Sequence, residues 1–296
     1  MPRSVAQHRI RHRMRKYRGA RRTEIRLQRW QPTQRKKGIR LAQGNAIRDK
    51  MAAGETVLGC FLGIGSPQIV EMLGLAGFDF VLIDAEHGPI SPETAYPMIL
   101  AAEARGIEAF ARVGELDKQV MLKYLDLGIT GLMAPQISNA DQAEMAIAAT
   151  KYAKRGNRGL AGGRVFDFGL RDTASDMAPR INDGVLNMIQ FEHIDALNEL
   201  DAILDTPNLD VLFVGPNDLA QSLGMPGQPN HQDVTDIADQ VVARCKARGV
   251  KTGTTFGDAK SAHETMARGF DMLVANAPSV FALSLRTLVN GIRTLT

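Results

Sequence analysis

An α/β fold, a (β/α)8 TIM barrel, is predicted by the alternation of eight short apolar segments with eight helix-like stretches. The helix-like stretches also carry start and stop signals, and the polar residues gather where the apolar segments end. The predicted strands are VLGCFLGI (57–64), FDFVLIDAE (78–86), EAFARV (108–113), TGLMAPQ (130–136), NMIQFE (187–192), LDVLFVGP (209–216), KTGTTF (251–256) and DMLVANA (271–277).

The helices are predicted from capping residues as well as from their pattern. Ser66 is a candidate N-cap for a helix that Gly77 ends, and Ser91 is a candidate cap with Pro92 at the first helical position and Gly106 at the end. A doubly wound open sheet is the alternative architecture. It is disfavoured because the turn GIGSPQ lacks the full Gly-rich phosphate pattern after the first strand.

One connection is much longer than the others, from Lys154 to about Asn187, and it contains RGNRGLAGGRVFDFG. Connections of this length are usually functional or disordered. Because it follows the fourth strand, it could cover a site at that end of the barrel.

The charge of the chain is unevenly distributed. Residues 1–40 hold 15 of the 36 Lys and Arg residues and one of the 32 acidic residues, which leaves 21 bases and 31 acids in residues 41–296. We therefore predict a basic, disordered extension over 1–40 and a catalytic barrel over 41–296. A nucleic-acid-binding arm and a targeting peptide are the alternatives for the extension, and neither is favoured.

Cysteine usage and hydropathy indicate a cytoplasmic protein. Cys60 and Cys245 lie in apolar contexts and form no close pair, so neither a disulfide framework nor a zinc site is predicted. No apolar stretch approaches the length of a membrane span, and no secretory signal is recognisable.

In a barrel of this type the catalytic groups come from the carboxyl ends of the strands. Polar residues follow five of the predicted strands and would meet on one rim: Asp84, Glu86, His87, Arg112, Gln136, Gln190, Glu192, Asn217 and Asp218.

Glu192 and Asp218 form a candidate metal pair. Two carboxylates from adjacent strands, without Cys or His at ligand spacing, suit a hard divalent ion such as Mg or Mn. The alternative is that each acid caps a short helix, because Asp218 opens a turn and Glu192 precedes one.

His87 is a candidate proton-transfer group that Asp84 could orient through its other ring nitrogen. Arg112 ends an apolar strand, where a guanidinium is costly unless it meets an anion or a carboxylate. We interpret Glu86 as a structural carboxylate, paired at the rim. No lysine of the body lies at the carboxyl end of a predicted strand, which disfavours a Schiff-base mechanism.

Four motifs together, LIDAEHGP, FARV, IQFE and FVGPNDLAQSLG, resemble the HpcH/HpaI family of metal-dependent pyruvate aldolases over roughly residues 42–290. The resemblance implies Glu192 and Asp218 as metal ligands, His87 as base aided by Asp84, and Arg112 as the group that stabilises the enolate. It implies that Gln190 lines the pyruvate pocket and that the backbone over 215–218 receives the carboxylate, which makes Gly215, Pro216, Asn217 and Asp218 substrate-binding residues.

The same resemblance implies cleavage of 4-hydroxy-2-keto acids to pyruvate or hydroxypyruvate and an aldehyde, with Mg, Mn or Co as cofactor. It also implies a homo-oligomer, a hexamer of dimers that exchange the last helix, about 279–292. The chain departs from the usual motifs at Ala85, Gly88, Val113, Asn217 and Ala220, which leaves the acceptor aldehyde open. A citrate-lyase-β or malyl-CoA-type lyase, and a non-catalytic barrel with a nucleic-acid-binding arm, are the alternative functions.

Overall fold

The computed structural model describes residues 45–294, so the basic extension predicted for 1–40 lies outside the described residues. Within that range the chain forms a closed, eight-stranded parallel barrel in the order of the sequence, which confirms the predicted fold. The strands are β1 Val57–Leu62, β2 Phe80–Asp84, β3 Glu108–Arg112, β4 Gly131–Ala134, β5 Leu186–Phe191, β6 Val211–Val214, β7 Lys251–Thr255 and β8 Met272–Asn276.

Helices follow the strands around the outside of the barrel, with one helix before β1. They are α1 Ala46–Ala52, α2 Pro67–Ala76, α3 Pro92–Arg105, α4 Lys118–Asp126, α5 Ala140–Thr150, α6 Ala174–Gly184, α7 Leu200–Leu204, α8 Pro216–Ser222, α9 Gln232–Arg248, α10 Ala259–Ala267 and α11 Ala277–Arg293. Short 3₁₀ turns occupy Arg164–Gly169 and Ile194–Leu197. None of the helices within 45–294 is both long and apolar enough to cross a membrane.

The capping residues act as the sequence predicts. The Ser66 hydroxyl accepts a hydrogen bond from the Ile69 amide at the start of α2, and Gly77 ends the helix in the left-handed conformation with φ 100°. Ser91 caps α3 through the Thr94 amide in the same way. Gly supplies the left-handed C-cap because other residues carry a Cβ that disfavours it.

Inside the barrel, three phenylalanine rings lie against glycines on an adjacent strand. Phe80 is the register partner of Gly59, and a Cβ at Gly59 would come within 2.1 Å of the Phe80 ring. The pairs Phe110 with Gly131 and Phe213 with Gly253 repeat the arrangement on other strands. Each glycine leaves the space that the neighbouring ring fills, because the interior of the barrel is close-packed.

The long connection after β4 differs from the prediction. It contains α6, which buries Met177 and Ile181 against the barrel, together with the 3₁₀ turn. The helix is hard to predict because Pro179 lies inside it and almost half of its residues are polar or charged. Its one apolar face is buried only because the helix packs on the rest of the barrel.

The last helix, α11, stands apart from the others because every residue from 278 to 294 is exposed. Its apolar side chains are therefore in solvent, among them Phe281, Leu285, Leu288 and Ile292. In a complete (β/α)8 barrel the eighth helix covers the outside of β8 and β1. In this chain Leu58 on β1 is 38% exposed, so part of that outer face is uncovered in the single copy.

Candidate active site

The site begins where β2 ends. The Asp84 side chain turns back on the chain, and its Oδ1 accepts weak hydrogen bonds from the amides of Glu86 and His87, both at 3.3 Å. Such a side-chain bond to the following amides is typical of an Asp that starts a turn. It explains why β2 stops at Asp84 rather than at Glu86, where the sequence alone predicts the strand to end.

Gly88 allows this turn to pack against β1. A Cβ at Gly88 would lie 2.4 Å from the carbonyl oxygen of Asp84 and 2.8 Å from the Cα of Gly63. Both neighbouring atoms belong to the backbone and cannot rotate away. The turn that carries Glu86 and His87 therefore depends on a residue without a side chain at position 88.

Arg112, at the end of β3, is held by two carboxylates. Its Nε donates to Asp84 Oδ1 at 3.0 Å and its Nη2 donates to Asp84 Oδ2 at 2.7 Å, a bidentate pair. Its Nη1 lies 3.1 Å from Glu86 Oε2, and its guanidinium lies over the Phe61 ring at 4.7 Å. The prediction that this arginine meets a carboxylate is confirmed. The bidentate pair orients the planar guanidinium more rigidly than a single bond would orient a lysine ammonium.

Gln190 and Glu192 lie two residues apart at the end of β5, so their side chains share a face. Gln190 accepts a hydrogen bond from Arg112 Nη1 at 3.3 Å and donates its own Nε2 to Glu192 Oε2. The other carboxylate oxygen of Glu192 accepts the main-chain amide of Gln136 at 2.6 Å. A continuous chain of polar contacts thus links β2, β3, β4 and β5.

The turn after β6 completes the rim. Gly215 is buried, Pro216 is half-buried, and Asn217 and Asp218 are exposed in the first turn of α8. A Cβ at Gly215 would come within 2.9 Å of Gln190 Nε2 and 3.4 Å of Glu192 Oε2. The close approach of the main chain at position 215 to the two β5 side chains therefore requires a residue without a Cβ.

Negative charge dominates this rim. Of the rim residues within 45–294, Asp84, Glu86, Glu192 and Asp218 supply four carboxylates, and Arg112 supplies the one permanent cation. Burial is the main cause that raises the pKa of Glu192 to about 7; repulsion from Glu86 and Asp218 acts in the same direction, while the Gln136 amide and Arg112 oppose the shift. The site as it stands favours a proton or a cation at Glu192.

The donor set fits a hard divalent ion better than a closed zinc site. Within residues 45–294 no group of three or more His, Cys, Asp or Glu side chains is placed to hold a metal. An ion at Glu192 and Asp218 would therefore take its remaining ligands from substrate oxygens and water, as magnesium usually does. Glu86 Oε2 is buried and makes no hydrogen bond within the described residues, and the Arg112 guanidinium 3.1 Å away is the cation beside it.

His87 is placed differently from the prediction. Its side chain is 63% exposed at the rim, and its Nε2 lies 4.0 Å from Glu86 Oε2. Asp84 contacts the His87 main chain instead of its ring, because both Asp84 oxygens are taken up by Arg112. The expected orientation of the imidazole by Asp84 is therefore not present in this structure.

Two rim residues contribute more than the sequence indicates. Glu86 is paired as predicted, but its partner is Arg112, so the carboxylate lies at the centre of the site and not at its edge. Gln136 contacts both Glu86 and Glu192, and the contact to Glu192 comes from its main chain. Main-chain contacts carry no residue-type signal, which is why the pattern of residues does not reveal this one.

The one deeply buried lysine of the described chain lies far from these groups along the barrel axis. Lys151 follows α5, and its Nζ donates to the carbonyls of Asn182 at 2.6 Å and Val185 at 2.9 Å. Val185 immediately precedes β5, so Lys151 lies at the amino ends of the strands. His193 also lies outside the cluster, because it caps the 3₁₀ turn after β5.

Comparison with known proteins agrees with this geometry. The family model for HpcH/HpaI aldolase/citrate lyase matches residues 57–277. The chain is 35% identical over 213 residues to the 2-dehydro-3,6-dideoxy-6-sulfogluconate aldolase of Pseudomonas putida, which covers 72% of this chain and 83% of that protein. It is 31% identical over 210 residues to the 5-keto-4-deoxy-D-glucarate aldolase of Escherichia coli (strain K12), which covers 71% of this chain and 81% of the relative.

Among solved structures, a HpcH/HpaI aldolase/citrate lyase family protein from Burkholderia cenocepacia J2315 superposes with a TM-score of 0.79 and 31% identity, covering 84% of this chain and 99% of that one. That structure thus shares the fold of this chain over almost its whole length. The protein is a carbon–carbon lyase that belongs to the HpcH/HpaI aldolase/citrate lyase family.

Proposed function

We propose that the protein cleaves 4-hydroxy-2-keto acids into pyruvate, or hydroxypyruvate, and an aldehyde, and catalyses the reverse addition. The observation that carries the proposal is the buried chain of contacts in which Asp84 and Glu86 fix Arg112 beside Gln190 and Glu192. The names of the P. putida and E. coli relatives, both aldolases of deoxygenated keto sugar acids, support the same substrate class.

Glu192 and Asp218 would hold a divalent ion, Mg, Mn or Co, at the rim. Four carboxylates against one arginine leave the site with excess negative charge, which supports a resident cation. When bound, such an ion supplies Lewis-acid polarisation of the oxygens of the keto acid.

The keto-acid end of the substrate would lie deep in the site. Gln190 is 2% exposed, and the main chain at Gly215 lies close to it, since a Cβ there would come within 2.9 Å of Gln190 Nε2. The main chain over 215–218 would receive the carboxylate of the keto acid, with the side chain of Asn217 at the edge. Arg112 would donate to the ketone oxygen, where negative charge develops as the enolate forms.

His87 would move the proton. In the cleavage direction it accepts the proton of the C4 hydroxyl, directly or through water, as the C3–C4 bond breaks and its electron pair passes into the enolate. The aldehyde leaves, and the same proton can return to C3 to give pyruvate. The exposure of His87 at the mouth supports this position, since the C4 hydroxyl lies farther from the carboxylate than the ketone does. Asp84 serves the step by holding Arg112 and the His87 main chain.

The test follows proton exchange at the methyl group of pyruvate in deuterium oxide, which reports enolisation without an aldehyde. We expect exchange by the wild type, its loss after treatment with EDTA, and recovery with Mg, Mn or Co. Arg112→Ala should slow exchange at least about 100-fold, as removal of a preorganised donor usually does. Arg105→Ala, which removes an exposed ion pair with Glu71, is the control and should leave exchange unchanged.

Full activity in EDTA would contradict the metal proposal, and persistent exchange by Arg112→Ala would remove Arg112 from its role. Borohydride trapping with pyruvate should label no residue, because the buried Lys151 lies at the opposite end of the barrel. A covalent adduct would establish the Schiff-base mechanism instead.

We also propose that the protein is a homo-oligomer in which α11 of one copy packs on a second copy. The apolar residues Phe281, Leu285, Leu288 and Ile292 recur at helical spacing and are all at least 40% exposed. Exchange of α11 between two chains would cover this stripe and the outer face near Leu58 at the same time. Each chain of such a dimer would cover the exposed surfaces of the other. We propose this dimer as the unit of a larger, hexameric assembly.

A further inference from the structure

Gln136 has an unusual backbone conformation for its residue type. It follows β4 and Pro135, and its φ of 55° lies in the left-handed region, which among non-glycine residues of the described chain is shared with Asp167, Phe168 and Asn208. That conformation costs about 1–2 kcal/mol for a residue with a side chain. It places the main-chain amide of Gln136 against Glu192 Oε1 at 2.6 Å.

The side chain of Gln136 contacts a second carboxylate of the site. Its Nε2 donates to Glu86 Oε1 at 3.2 Å, so one residue links the turn after β2 to the end of β5. Glu86 and Glu192 are largely buried, whereas Gln136 is exposed. The carboxamide therefore lies on the solvent side of the cluster, where a substrate would enter.

A carboxamide has two N–H donors and one oxygen acceptor. Within residues 45–294, the hydrogen bond to Glu86 occupies one of those donors. The oxygen and the second N–H are free for a ligand that carries both donor and acceptor character, which is the property of a hydroxyl group. A hydrocarbon chain at the same place would make neither bond.

We propose that Gln136 is a specificity-determining residue whose carboxamide, held over the site by Glu86, hydrogen-bonds a hydroxyl group on the aldehyde half of the substrate. The inference rests on the proposed aldol reaction. In that reaction the keto-acid half of the substrate contacts the buried residues Arg112, Gln190 and Gly215. The aldehyde half therefore extends towards the exposed rim. The substrate class is accordingly a 4-hydroxy-2-keto acid with further hydroxyl groups beyond C4.

The experiment compares two acceptors of equal carbon number, D-glyceraldehyde and propanal, in aldol addition with saturating pyruvate. Gln136→Leu removes the carboxamide at similar volume, and Gln136→Gly removes it while accepting the left-handed backbone without strain. Both variants keep the main-chain amide that contacts Glu192. Gln232→Leu is the matched control, since this exposed glutamine also donates to a carboxylate, Asp236, but lies on α9.

We expect kcat/KM for glyceraldehyde to fall about 3- to 10-fold in both Gln136 variants, the effect of one hydrogen bond. The value for propanal should change less than about 2-fold, and the control should behave as the wild type. Deuterium exchange into pyruvate should also be unchanged, because it involves only the keto-acid half. A structural role through Glu192 would lower all three rates together.

Equal losses with both aldehydes, or no loss with glyceraldehyde, would overturn the role of Gln136 while leaving the aldolase intact. A wild type that exchanges no deuterium into pyruvate in the presence of Mg, Mn or Co would instead refute the proposed reaction and, with it, the role of Gln136 in acceptor recognition. The exchange measurement thus separates the two failures.

Discussion

Replacing Arg112 with methionine tests how strongly the site depends on its single cation. Methionine keeps most of the aliphatic volume but removes the bidentate pair with Asp84, the contact with Glu86 and the hydrogen bond to Gln190. The side chains of Arg112, Asp84 and Glu86 are each 8% exposed, so water cannot replace the lost partner. Two buried carboxylates are then left without their counter-ion.

Removal of one partner from a buried ion pair usually costs about 3–5 kcal/mol, because the remaining charge is desolvated and unpaired. We expect a loss of that size in the free energy of unfolding of metal-free Arg112→Met near neutral pH. Arg112→Met/Asp84→Asn should be less destabilised than the sum of its single variants, with a coupling energy of about 2–3 kcal/mol. The double variant removes one of the two charges that Arg112→Met leaves unpaired.

The assay is urea unfolding followed by circular dichroism, at one protein concentration for all variants. The single tryptophan of the chain, Trp30, lies outside the described residues, so the assay does not use its fluorescence. Arg105→Met is the control, and loss of its exposed pair with Glu71 should cost less than about 1 kcal/mol. An Arg112→Met protein within about 1 kcal/mol of the wild type, or additive losses in the double variant, would refute the reasoning.

Three further predictions concern the turn after β2, a buried lysine and the last helix. Gly88→Ala should lower the free energy of unfolding by about 1–3 kcal/mol and slow pyruvate exchange, because its Cβ would meet the backbone of Asp84 and Gly63; unchanged values for both would contradict this. Burial lowers the pKa of Lys151 to about 8, whereas the unfolded value is about 10.4, so between these pH values the unfolded chain binds more protons and stability rises with pH. The stability of the wild type relative to Lys151→Met, from urea unfolding, should therefore increase from about pH 8 to about pH 10, and a constant difference would contradict the buried pKa. Leu285→Glu should shift the mass measured by light scattering towards the monomer, whereas an unchanged oligomer would show that α11 is not an interface.

The strands were predictable because most read as short apolar runs, five of which end in or are followed by polar residues. All eight predicted segments contain the observed strands apart from small shifts, such as β5 beginning at Leu186 rather than Asn187. Cap chemistry is local as well, and Ser66, Gly77, Ser91 and Gly106 act where the sequence places them. The exception is α6, whose polar sequence and internal Pro179 conceal a helix that only burial of Met177 and Ile181 stabilises.

For the site, the sequence supplied the identity of the rim residues but not their pairing. Asp84, Arg112, Gln190 and Glu192 could be placed at one end of the barrel because parallel strands end on the same face. Which carboxylate meets which donor could not be predicted, since it depends on distances between strands that are far apart along the chain. Within the described residues Asp84 binds Arg112 through both of its oxygens and contacts the main chain of His87, a pairing that the sequence did not indicate.

The sequence by itself determined the (β/α)8 architecture, the caps of the helices and the set of polar residues on the rim, because strand period, capping and strand ends depend on near neighbours. Tertiary structure alone decided that Glu86 shares Arg112, that the left-handed Gln136 directs its amide to Glu192, and that three phenylalanine rings lie over glycines of an adjacent strand. These features depend on how far apart the strands lie and on which surfaces exclude water, and both are set only when the barrel closes.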